Sequence, residues 1–538
     1  MSGRRHTAGC GGTRAGGAGA LQPPGGGERP SDEQRLADLG YRQELPRVLH
    51  LWTNWAVGFA FISPIVGLYT IVALGATTAG PPWVWSLPVV VAGQFLVALV
   101  YARLSSHWPI AGGIYQWSRR LLGRAYGWWA GWAYLWALVI VLATTAYAGG
   151  GFLGQLLGVS TSSTTSRLLL ALVVMAAFTG VNAVGLALLR YTVNIGIACE
   201  LIASVGIGIT LLVFFRHQPV SILVHAPHLT HSSSSYPAAF LGAVAFTGWA
   251  ILGFDACGGL SEETRDASRQ VPRATLLSIA TVGSVMAISA LGLTLATRNE
   301  AAVTAGRVAD PVASAVVGSF GLWVERPFLA VVVIGFVACG IAEQATLVRV
   351  IYSLSRDGML PGSRLWRAVS PRNQSPTFAV LLSGVLATAA FAYAKVLTVL
   401  VDFATGAYYV GFLFPVVAVV VIWARKPDFL PSGIDRRTRL VALAALGRLA
   451  FELVNISWPR QQALPWDQRW AVVLGIAVLG VVGLAYFVLR RPDRGALGSE
   501  DPAAPGAEQM TEPDRPWDEY ERRAAAPFLG APPPTDAN

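Results

Sequence analysis

Two stretches of this chain set helix-breaking residues inside long apolar runs. One reads Gly58-Phe-Ala-Phe-Ile62-Ser63-Pro64-Ile65-Val66-Gly67. The other reads Phe246-Thr247-Gly248-Trp249-Ala250-Ile251-Leu252-Gly253-Phe254-Asp255-Ala256-Cys257-Gly258-Gly259. Proline removes a backbone donor and clashes with the preceding turn, and glycine lowers the cost of leaving a helix. A helix broken inside a membrane presents N–H groups at one half-helix end and carbonyls at the other. The N–H end attracts a carboxylate, and the carbonyl end attracts an ammonium or a cation. A zwitterion satisfies both. The two breaks, with Ile62, Ser63, Pro64, Ile65, Val66 and Gly67 in the first and Phe246, Trp249, Leu252 and Gly253 in the second, are therefore a candidate binding site. The alternative is a pair of kinks used for packing.

Four carboxylates lie within apolar runs: Glu200, Asp255, Glu343 and Asp402. Such residues are costly in a membrane and usually functional. Out of water a carboxyl group favours its neutral form, so Glu200, Asp255 and Glu343 are candidate proton carriers. Glu200 lies deepest and has no partner in nearby sequence. For Asp255 the competing reading is a bond to loop N–H groups, and for Glu343 compensation by Arg349. Asp402 sits near the outer end of its run. The four cysteines, Cys10, Cys199, Cys257 and Cys339, share no metal-ligand spacing. No metal site and no cofactor is expected. No HExxH or GxSxG motif is present, and an enzyme is not expected.

These residues need elements to hold them, and composition says which. Of 538 residues, 54% are hydrophobic and 13% charged, with a mean hydropathy of +0.51. Soluble domains carry about 25% charged residues, so the chain reads as an all-α membrane protein. Apolar runs of about 20 residues fall at 49–74, 83–104, 125–148, 168–189, 191–215, 238–260, 274–296, 328–354, 377–394, 396–423, 440–456 and 470–489. These are spans 1 to 12, and the two breaks lie in spans 1 and 6. Span 11 is the weakest and holds Arg448 and Glu452, spaced to pair on one face.

Loops on the side of the termini hold 22 Lys and Arg against 8 on the other side. That asymmetry places both termini in the cytoplasm. The net charge of +10 reflects those loops facing anionic lipid rather than nucleic acid. Residues 1–47 hold eleven glycines and no apolar signal segment, so they read as a flexible tail. Residues 48–490 form the membrane domain, and residues 491–538, acidic and proline-rich, a second disordered tail.

Three loop stretches carry a family resemblance. The first is Arg103-Leu-Ser-Ser-His-Trp-Pro109-Ile-Ala-Gly112-Gly113-Ile-Tyr115-Gln116-Trp117-Ser-Arg119, after span 2. The second runs from Gly253 through Asp255, Glu262, Glu263, Thr264 and Arg269 to Arg273, after span 6. The third is Ser355-Arg356-Asp357-Gly358-Met-Leu-Pro361, after span 8. The chain resembles permeases of the amino acid–polyamine–organocation superfamily, in its amino acid/choline branch. The resemblance implies a LeuT-type fold of two inverted five-helix repeats plus two helices. It implies secondary transport of an amino acid or related amine by alternating access, in the plasma membrane, as a monomer or homodimer. Polyamine or choline carriage and amino acid exchange are the neighbouring readings, and a receptor a more distant one. The substrate carboxylate is expected at Ile62 to Gly67, with Trp249 capping the substrate. Two departures bear on coupling. Span 5 holds no lysine, and the stretch from Val337 to Glu343 in span 8 offers no hydroxyl, so protons are expected rather than sodium. Glu262, Glu263, Arg269, Arg273, Arg356 and Asp357 are candidate gate residues on the cytoplasmic face, with simple loop folding as the alternative.

Overall fold

The computed structural model describes residues 31–225, 236–371, 375–391, 397–425, 434–460 and 464–492. Among them the architecture is helical throughout, with two isolated β-bridges and no strand. Eleven segments are long and apolar enough to cross a membrane. Span 1 consists of Leu51–Ile62 and Pro64–Ala79, span 2 of Ser86–His107, span 3 of Gly113–Leu157 and span 4 of Thr164–Val184. Span 5 runs through Leu186–Glu200, a π-helical turn Leu201–Gly206 and Ile207–Phe214. Span 6 consists of Tyr236–Thr247, Gly248–Ile251 and Ala256–Gly259. Then follow span 7 (Ala267–Ala296), span 8 (Glu325–Arg356), span 10 (Leu397–Arg425), span 11 (Arg436–Ser457) and span 12 (Ala471–Arg490). Span 9 is represented by the shorter apolar helix Thr377–Ala390.

Span 3 exceeds its expected limits. It starts within the loop motif, at Gly113, and turns at Leu122 and Gly123, where Gly123 takes φ 86°. It ends at Gly158, which caps it in the left-handed conformation. The helix packs along spans 8 and 10. Span 12 is peripheral, held to span 3 by Tyr486, whose ring stacks at 8° to Trp128 and 10° to Trp132.

The described chain ends share one face, called here the terminal face. Tyr41 bonds Asp357 there at 3.0 Å, and Tyr486 of span 12 bonds the Met359 carbonyl at 3.3 Å. The expectation of a flexible tail up to Arg47 does not hold from Ser31 onward. Asp32–Asp38 is a helix with a capping box between Ser31 and Gln34, and Leu36, Tyr41 and Leu45 are buried. Residues 1–30, 226–235 and 493–538 lie outside the described residues.

Candidate functional site

The span 1 break is one residue long. The first half-helix closes with the Ser63 N–H on the Phe59 carbonyl at 2.9 Å. Ser63 takes φ 46°, ψ 104°, unusual for a residue other than glycine and a conformation that clusters at functional sites. Helix resumes at Pro64, whose fixed φ suits the first position. The donors of the new helix start all have partners within the protein. Pro64 has none to give. The Ile65 N–H donates to Glu200 Oε2 at 3.1 Å, the Val66 N–H to Ser63 Oγ at 3.1 Å, and the Gly67 N–H to the Ser63 carbonyl at 2.9 Å. The Ser63 hydroxyl donates to the other oxygen of Glu200. The expectation of free donors from Ile62 to Gly67 is thus corrected, because a side-chain carboxylate from span 5 already fills that end. The π-helical turn begins directly after Glu200, and such turns are frequent at functional sites.

Gly67 does not unwind span 1. It lies inside the second half-helix, and a Cβ there would stand 3.0 Å from both Cα and O of Ala250. Its small size lets the two broken spans touch.

In span 6 the helix tightens over Gly248–Ile251, becomes extended at Leu252, and turns at Gly253 with φ 98°. The Phe61 ring covers Gly253, leaving no space for a Cβ. Phe246 and Trp249 are buried, and Trp249 Nε1 has no hydrogen-bond partner. Asp255 follows, 3% exposed. It does not turn to the loop: its carboxylate accepts from the hydroxyls of Tyr134 in span 3 and Tyr408 in span 10, the latter at 3.1 Å.

Glu343 accepts from Thr145 Oγ1 at 2.8 Å and from the Cys339 thiol at 3.4 Å, while its Oε2 has no partner. The Phe61 carbonyl, in the last turn before the span 1 break, stands 3.2 Å from Cys339 Sγ as a second acceptor for its one proton. Compensation by Arg349 does not occur, because Arg349 grips Glu263 at 2.8 and 3.1 Å. Asp402 is half-buried, with the Arg460 charge nearby. Among the described residues no basic side chain pairs with Glu200, Asp255 or Glu343. The arrangement is a bundle interior whose acidic groups meet hydroxyls, a thiol and one backbone N–H.

On the terminal face the pattern is opposite. Glu262 holds Arg356 in two parallel bonds, at 2.9 and 3.0 Å, and accepts from the Ala111 N–H. Asp357 pairs with Arg119 at 2.8 Å and accepts from Tyr115 at 2.6 Å and Gln116 at 3.1 Å. Burial alone would lift the Asp357 carboxyl. The Arg119 and Arg356 charges and the Tyr115 and Tyr41 hydroxyls overcome it and hold the group below the usual carboxylate range. Arg269 and Arg273 are exposed on the following helix and stand outside these pairs.

The sequence reading did not single out Tyr134, Thr145, Tyr408, Arg119, Arg349 or Tyr41 for these contacts. Arg119 lies in the first loop motif, so its signal was present. Tyr134 and Tyr408 carry none, since spans 3 and 10 read as plain apolar helices.

Two helices broken at facing positions, inside a bundle of this many apolar spans, define a membrane transport protein. The chain matches the amino acid permease family over residues 53–482 and belongs to it. It is 25% identical to the amino-acid permease BAT1 of Arabidopsis thaliana, covering 84% of this chain and 93% of that one. It is 24% identical to the branched-chain amino acid permease BcaP of Bacillus subtilis, covering 73% and 84%. A putative polyamine transporter of Candida albicans is 23% identical, covering 66% and 67%.

Proposed function

We propose that the chain imports an amino acid or related amine by proton-coupled alternating access. One observation carries the coupling: Glu200 of span 5 occupies the Ile65 N–H and the Ser63 hydroxyl at the span 1 break. A charged Glu200 holds the donors a substrate carboxylate needs. Once protonated, it no longer competes as an anion, and the same N–H is open to the substrate. Proton and substrate then enter together, and loss of the proton restores the internal bond and expels the substrate. The carbonyl end of the span 1 break and the Gly248–Gly253 stretch take the ammonium. Trp249 closes over the substrate, giving apolar contact and cation–π attraction.

The 22 to 8 asymmetry of basic residues supports placing the terminal face in the cytoplasm, with the protein in the plasma membrane. The names of BAT1 and the BcaP permeases support an amino acid, and the polyamine relative keeps an amine as the second reading. Purified protein should show thermal stabilisation by one class among neutral amino acids, basic amino acids, GABA, choline and polyamines. Trp249→Leu should weaken that binding about tenfold, the worth of ~1.4 kcal/mol, in folded protein. Stabilisation by none of the panel would count against the assignment. Unchanged binding in Trp249→Leu would make that residue a packing group.

A further inference from the structure

Ser31 to Leu49 form a strap across the terminal face. It touches all three parts of the bundle that the terminal-face ion pairs join. On span 3, Arg119 donates to the Tyr41 hydroxyl at 2.7 Å. On span 8, that hydroxyl donates to Asp357 at 3.0 Å, the Arg356 guanidinium lies 3.9 Å over the Tyr41 ring, and Tyr352 donates to Glu44 at 2.6 Å. On the segment after span 6, the Leu49 N–H donates to the Glu263 carbonyl at 2.8 Å, and the Arg265 N–H to the Leu49 carbonyl at 3.0 Å. Arg47 adds a bond to the Thr264 carbonyl at 2.9 Å. The strap then enters the first half-helix of span 1 at Leu51.

Tyr41 is thus wedged among Arg119, Arg356 and Asp357. Two of these are gate residues read from the loop motifs, and the third pairs with one of them. Opening the site to this face requires the inner halves of spans 1 and 6 to leave spans 3 and 8. That movement must draw the ring out from under Arg356 and break both bonds of its hydroxyl. We infer that Tyr41 is a positioning residue of the inner gate, and that the Ser31–Leu49 strap restrains its opening. The inference rests on the alternating-access reading, and its test includes a readout that needs no substrate.

The strap meets span 8 where the Tyr352 hydroxyl donates to Glu44 at 2.6 Å, so thiols placed at these two positions can be joined by a short cleavable bifunctional thiol reagent. The double variant Glu44→Cys/Tyr352→Cys, cross-linked in membranes, should lose uptake and regain it when the linker is cleaved. The wild type and each single variant should be indifferent to the same treatment. In parallel, Ser355→Cys reports access from the terminal face, since Ser355 is fully buried and its hydroxyl has no partner. Against a background of the native cysteines, Tyr41→Ala should raise its labelling by a membrane-impermeant thiol reagent several-fold. Tyr41→Phe, which keeps the ring under Arg356, should give an intermediate rise. A protein cross-linked between Glu44→Cys and Tyr352→Cys that transports as fast as the cleaved one would overturn the proposal. So would labelling unchanged by Tyr41→Ala in correctly folded protein. A wrong substrate assignment would silence uptake and leave the labelling result intact.

Discussion

Glu262, Glu263 and Asp357 on the terminal face are as buried as Glu200, Asp255 and Glu343 in the bundle, none being more than 3% exposed. Yet each of the first three meets an arginine within 3 Å, whereas the second three meet hydroxyls, one thiol and one backbone N–H. Burying a charge is tolerable when it is paired and hydrogen-bonded. The terminal set is held in ion pairs between spans 3 and 8 and the segment after span 6, the proposed latch. The bundle set has hydrogen bonds without counter-charge. Under the proposed coupling, Glu200 is a neutral acid in one conformation and a carboxylate in another. The same side-chain chemistry thus stands in two settings, charge-paired on the terminal face and hydrogen-bonded without counter-charge in the bundle.

The contrast breaks most visibly at Arg349. Arg349→Ala leaves Glu263 buried and unpaired, and should lower stability by about 3–5 kcal/mol, read as a fall in the detergent-solubilised melting temperature. Tyr408→Phe removes one of two hydroxyls on Asp255 while leaving the ring. It should cost about 1 kcal/mol and move the pH profile of uptake, whereas an unmoved profile would assign Asp255 to structure alone. Glu343→Gln replaces an acid that has no counter-ion, and should change stability by less than ~1 kcal/mol. A loss like that of Arg349→Ala would mean that Glu343 is ionised and paired.

The smallest effect concerns pH. The Asp357 carboxyl is held low in the folded state, so its contribution is complete above the unfolded value of about 3.9. It fades as pH falls through the lower folded value. The Asp357 pairing should therefore be indifferent between about pH 5 and 8, seen as a flat ratio of Ser355→Cys labelling in Tyr41→Ala to that with Tyr41 intact, which cancels the thiol's own ionisation. A slope there would place a titrating group in the latch.

The spans were legible because a bilayer demands about 20 apolar residues, and the two breaks because Ser63-Pro64 and the glycines of span 6 stand out inside such runs. The partners were less so. Glu343 and Arg349 are six apart, which places them about 120° apart around a helix of 3.6 residues per turn, on different faces, so the suggested pair does not form. The true partner of Arg349, Glu263, comes from 86 positions away, and no local pattern reports that. Gly67 was read as a helix breaker, yet its role is contact with Ala250, a tertiary fact. The strap was masked by the glycines before it. Its one local signal is the Ser31-Asp-Glu-Gln34 capping box.

The central claim is that Glu200 exchanges its place on the Ile65 N–H with the substrate as it gains and loses a proton. Uptake should be measured in proteoliposomes under an imposed pH gradient, with and without sodium, for the wild type and Glu200→Gln. The wild type should accumulate substrate under the pH gradient alone. Glu200→Gln should exchange substrate across the membrane but lose pH-driven accumulation. Strict dependence of the wild type on sodium, or accumulation by Glu200→Gln at the wild-type level, would contradict the account.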